Sequence, residues 1–130
     1  MRMACVLTFP AVAAMTLPGR LNTAPAAACT TATPACTEWL TMAGGPGRTL
    51  VYRTYPLGTR NDGITRAFIL VHGASRDAHN YFRHALAAAF LAGALENTIV
   101  IAPRFASNEG GSCRDTLALN EINWSSCSGD

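Results

Sequence analysis

An α/β fold is predicted, on three observations made within one stretch of the chain. Ala67-Phe68-Ile69-Leu70-Val71 is an unbroken apolar run that stops at His72-Gly73. A helical periodicity follows over about residues 78–92, and Thr98-Ile99-Val100-Ile101-Ala102 then repeats the apolar run and stops at Pro103. Strand, helix, strand in that order is a βαβ unit, whose crossover is normally right-handed.

Each element has its own warrant. The run at about 67–72 fits a central strand of a parallel sheet, buried on both faces, because such strands lack polar alternation. In the helix, Tyr81, Phe82, Ala85, Leu86, Ala89 and Phe90 fall on one broad face. Asp77 stands where an N-cap is expected and Gly93 where a helix ends. The second run, about 98–102, reads as the parallel partner. Upstream, about 49–55 alternates and is rich in β-branched and aromatic residues, which predicts a strand. Glu38 to Met42 is a candidate first strand, with a turn at Gly44-Gly45-Pro46-Gly47. Arg60-Asn61-Asp62-Gly63 is a second turn, and Asp-Gly between strand-like runs is a hairpin signal. Residues 104–130 turn polar and Gly/Ser/Asn-rich without a period, as ligand-binding loops after parallel strands do.

Composition narrows the function. The 130 residues are 49% hydrophobic and 14% charged, enough to bury one core. A net charge of +2, with the basic residues scattered, argues against nucleic acid as partner. All basic residues are Arg, so chemistry that needs a lysine amine is excluded.

The first residues have the features of an export signal: Arg2, an apolar stretch from Met3 to Leu17, and small-residue sites at Ala11-Val12-Ala13 within it and at Ala26-Ala27-Ala28 after it. The stretch is shorter than the ~20 residues of a membrane span, so no transmembrane anchor is expected. The organisation expected is a signal peptide over 1–28, a linker and first-strand region over 29–48, and the main domain over 49–130. Secretion or periplasmic location follows. Lipidation at Cys29 is disfavoured, because Ala26 stands where a lipoprotein signal usually has Leu. Of the five cysteines, Cys5 falls in the signal and four remain. Three pairings are open; the local one, Cys29 with Cys36 and Cys113 with Cys127, is favoured. Neither Cys-x-x-Cys nor histidines at ligand spacing occur, so no metal or other cofactor is expected.

Phe68-Ile69-Leu70-Val71-His72-Gly73-Ala74 resembles the strand and His-Gly turn that precede the oxyanion hole in α/β hydrolases. The following strand with Pro103-Arg104-Phe105 is similar to that family's next strand and loop. So is the stretch Asn120 to Trp124 with Cys127 and Gly129-Asp130, which resembles the corresponding loop in some exported members. The resemblance covers roughly residue 49 onward and implies a partial α/β-hydrolase sheet. It implies that the Ala74 backbone N–H donates to the oxyanion, that Gly73 lets the substrate come close, and that His72 positions the turn. Phe105 and Trp124 become pocket candidates, and the substrate class a small or polymeric ester.

The chain departs from the family in one large respect. No Gly-x-Ser-x-Gly occurs, and Gly110-Gly111-Ser112-Cys113 comes nearest. All three histidines, His72, His79 and His84, precede every serine except Ser75, whereas the family's triad runs serine, acid, histidine. The expectation is a chain that stops before the nucleophile and is inactive alone. A structural role competes at every position: His72 as a hydrogen-bonded strand end, His79 and His84 as exposed helix residues, Asp115 and Glu121 as solvated carboxylates. Two rivals stand. One is a small secreted, disulfide-stabilised binding or structural domain without catalysis. The other keeps the fold with an Asp nucleophile.

Overall fold

A computed structural model describes residues 27–42, 44–111 and 113–124. Residues 1–26 of the expected signal peptide, Ser112 and the stretch with Cys127 lie outside the described residues. Among the described residues, four strands form one mixed sheet in the order β1-β2-β4-β3, with one α-helix. The strands are β1 (Thr37–Thr41), β2 (Arg48–Arg53), β3 (Arg66–Ile69) and β4 (Thr98–Arg104); the helix α1 is Ala78–Leu91. The architecture is α/β in character.

The chain builds this sheet from one hairpin and one crossover. β1 and β2 pair antiparallel across the Gly-rich turn, closed by Met42 N–H donating to the Gly47 carbonyl at 2.8 Å. β2 is antiparallel to β4, and β3 runs parallel to β4, with α1 as the crossover between them. The helix ends as its sequence predicts. Gly93 takes φ 62°, its N–H donates to Phe90, and Ala94 N–H reaches back to Ala89, a Schellman arrangement.

α1 packs on one face of the sheet. Phe82, Ala85, Leu86 and Ala89 join Val100, Ala102 and Cys36 in the core, with Tyr52, Phe68 and Leu70 half-buried against them. Phe82 is 0% exposed and its ring lies 5.7 Å from that of Tyr52. Beyond the end of β2, buried Thr54 replaces a ladder residue: its N–H donates to the Val100 carbonyl at 3.1 Å, and its Oγ1 accepts the Val100 N–H at 3.0 Å. The centre of β4 is satisfied on that side by a side chain rather than by a backbone carbonyl.

Several expectations are corrected. The 67–72 run is not a central strand. β3 lies at the edge, and Ile69 and Val71 are 58% and 49% exposed. Side chains alternate faces along a strand, so Phe68 and Leu70 meet α1 while Ile69 and Val71 point to the uncovered face. The Asp62-Gly63 turn exists, with Gly63 N–H on the Asn61 side chain at 3.0 Å, but it makes no hairpin, because β4 separates β2 from β3.

β4 continues through Pro103. Val100 bonds toward β2, and Ile101 accepts the Leu70 N–H from the β3 side. By alternation the missing N–H of Pro103 faces the β3 side beyond Ile69, where that strand has ended, so no ladder bond is lost. Residues 29–36 pack against the core. Cys29 and Cys36 are bridged, Cys36 is 1% exposed within the core, and Cys29 N–H donates to the Thr54 carbonyl at 2.7 Å.

An apolar edge strand with open backbone groups is a template for pairing. The isolated chain is therefore expected to self-associate through β3. Sedimentation velocity of the double variant I69K/V71K should return a monomer. Unchanged association in that variant would place the contact elsewhere.

Candidate functional site

The polar and aromatic residues singled out in the sequence converge where β3 and β4 end. Both strands run parallel, so their C-terminal ends lie side by side, the usual ligand side of an open α/β sheet. β3 leads through His72, Gly73 and Ala74 into α1. β4 leads into the long loop that carries Phe105 and Trp124.

His72 ties these two exits together. The Phe105 backbone N–H donates to His72 Nε2 at 2.9 Å, which makes Nε2 an acceptor and places the ring proton on Nδ1. Nδ1–H then donates to the Gly73 carbonyl at 2.9 Å. With both nitrogens occupied, the ring is a brace. It also lies edge-on to Phe105 at 5.8 Å and to Tyr81 at 6.4 Å. Phe105 in turn meets Trp124 edge-on at 4.7 Å. The sequence marks Tyr81 only as a residue of the apolar helix face. Its place at this end follows from standing one turn inside α1, next to the His-Gly loop.

The turn itself is simple. Arg76 N–H donates to the Gly73 carbonyl at 3.0 Å, closing a β-turn whose central residues, Ala74 and Ser75, both have negative φ. The Ala74 N–H is outside secondary-structure pairing and meets no acceptor among the described residues. Ala74 is exposed. Gly73 keeps a negative φ, and a Cβ there would meet only the Tyr81 hydroxyl at 3.5 Å, an ordinary contact. The glycine is not required by the fold. The described cavity, about 350 Å³ and lined by Arg66, Phe68, Thr98 and helix alanines, lies at the opposite end of β3.

Two carboxylates expected to be solvated are structural. Asp115 Oδ2 accepts Arg76 Nε at 2.7 Å and the Ser107 N–H at 2.9 Å. Burial pushes its carboxyl up, but the Ser107 N–H and the Arg76 guanidinium outweigh it and hold it below the usual Asp value. Glu121 is buried, accepts the Ala118 N–H at 2.9 Å and lies 3.4 Å from Arg104. Both residues shape the loop without a regular element, which is why no periodicity exposed them.

Asp77 precedes α1 but makes no cap bond to the helix backbone; its Oδ2 accepts from Asn80 Nδ2 at 3.1 Å. His79 and His84 are exposed. Cys113 is buried and disulfide-bonded; Cys127, its expected partner, lies outside the described residues. Among the described residues, no helix is long and apolar enough to cross a membrane.

No protein-family model, curated protein or solved structure matches this chain.

Proposed function

We propose that this chain is the oxyanion-side portion of an exported acyl hydrolase of the α/β-hydrolase kind, acting on esters or related acyl bonds. One observation carries the reading: an exposed backbone amide with no acceptor among the described residues stands in the loop between β3 and α1. In α/β hydrolases that loop supplies one of the two N–H donors to the oxyanion. Ala74 N–H is the donor, His72 braces the turn, and Phe105 and Trp124 form an aromatic wall beside it. The disulfide at Cys29–Cys36 fits export.

The rest of the machinery is not in the 130 residues. A nucleophile on Gly-x-Ser-x-Gly, an acid and a later histidine would complete the site, and no Gly-x-Ser-x-Gly occurs here. Purified chain should accordingly show no turnover of p-nitrophenyl butyrate. Robust hydrolysis that disappears on replacing one of its own serines would refute the assignment of the nucleophile to another segment.

The donor is tested directly by Ala74→Pro. Proline removes the N–H and is favoured at this position of a type I turn, so the fold should survive with stability within ~0.5 kcal/mol. Titrating ¹⁵N-labelled chain with butylphosphonate, tetrahedral and anionic like the reaction intermediate, should shift the Ala74 amide. In A74P the shifts of neighbouring Gly73 and Ser75 should vanish. A wild-type chain whose 73–75 amides ignore the phosphonate would sink the hydrolase reading and leave the small binding domain in its place.

A further inference from the structure

We propose that Arg76, anchored by Asp115, is a positioning residue that aims the Ala74 amide; this rests on the acyl-hydrolase reading above. The argument starts from the peptide plane between Gly73 and Ala74. No peptide bond among the described residues is cis. In a trans peptide the C=O and N–H point in opposite directions, so whatever fixes the Gly73 carbonyl fixes the Ala74 N–H. That carbonyl accepts twice, from His72 Nδ1 at 2.9 Å and from the Arg76 N–H at 3.0 Å. Both of its lone pairs are engaged on one side, and the Ala74 N–H is turned to the other, toward solvent.

The Arg76 side chain holds the next plane. Nη1 donates to the Ala74 carbonyl at 2.7 Å, while Nε donates to Asp115 Oδ2 at 2.7 Å. One guanidinium thus fastens the turn to the loop that follows β4. Asp115 is itself fixed there, since Oδ2 also accepts the Ser107 N–H at 2.9 Å and its own N–H donates to the Ser107 carbonyl at 3.0 Å. Arg76 adopts φ 52°, a left-handed conformation that a residue with a side chain rarely takes. A turn without this role would place glycine or asparagine there at lower cost. An arginine in that conformation is explained by what its fork grips, and a lysine ammonium cannot reproduce the planar, two-ended grip.

The experiment uses ¹⁵N-labelled full chain and three variants: R76K, R76G and D115N. R76G keeps the backbone conformation and drops the guanidinium; R76K keeps the charge and drops the fork. Two quantities are read, the residual dipolar coupling of the Ala74 N–H, which reports its direction, and its response to butylphosphonate. The expected result is a changed Ala74 coupling in all three, with affinity for the phosphonate reduced about fivefold or more, while amides in β2 and β4 keep their couplings. If R76G or D115N fails to fold, R76K decides. Unchanged Ala74 coupling in a folded variant, with wild-type phosphonate response, overturns the positioning role. Absence of response in the wild-type chain overturns the hydrolase reading instead, whatever the couplings do.

Discussion

Replacing Phe82 by alanine is expected to cost about 3–5 kcal/mol, the range for emptying a buried phenyl site. Phe82 is 0% exposed and faces Tyr52 on β2 with Val100 and Ala102 of β4 in the same core. No other side chain from α1 is as large and as fully buried. The rest of the helix face is mainly alanine, whose methyl groups cannot close over the void. Natural domains are stable by about 5–15 kcal/mol, so the loss is a large fraction of the whole. In a chain of this size it corresponds to a fall in Tm of roughly 15–30 °C. Differential scanning calorimetry checks this. F82L, which refills most of the space, should fall less. A Tm lowered by only a few degrees in F82A would mean that α1 is not the lid of this core.

The second large effect is expected from removing the Cys29–Cys36 bridge. The two cysteines are 7 residues apart, and closing so short a loop contributes about 2–3 kcal/mol through the unfolded chain. The bridge also holds residues 29–36 against the core, where Cys36 is buried and Cys29 and Ala32 pack beside it. Without it, the 2.7 Å bond from Cys29 N–H to Thr54 and the packing of Cys29, Ala32 and Cys36 are what retain the segment among the described residues. The double variant C29A/C36A should melt roughly 10–20 °C below the wild type. Equal melting temperatures would show that the segment is held by packing alone.

The parts of the fold that were legible in sequence are those set by local chemistry. The apolar faces of Phe82, Leu86 and Ala89, and the glycine at position 93, report a helix and its end. The β-branched run from Thr98 reports a strand. Strand neighbours are another matter. Five apolar residues from Ala67 to Val71 describe hydrophobicity, not what lies alongside, so an edge strand and a central one read alike. The strand continuing through Pro103 was hidden for the same reason, since only knowing where β3 ends reveals that its missing N–H has no partner to lose. In the site, His72, Gly73 and Ala74 were legible as a short motif. Asp115 and Arg76 were not: they lie 39 residues apart, and a single ion pair across an irregular loop leaves no pattern in the chain.

The position of β4 has a consequence for how the chain acquires its structure. β4 sits between β2 and β3 and is synthesised after both. Until it emerges, the nascent chain holds an isolated hairpin and a 14-residue helix, each marginal in water on its own. Assembly of this sheet is therefore close to all-or-none, triggered by β4 inserting between two waiting partners. The rate should be set by closing the long segment that joins β2 to β4.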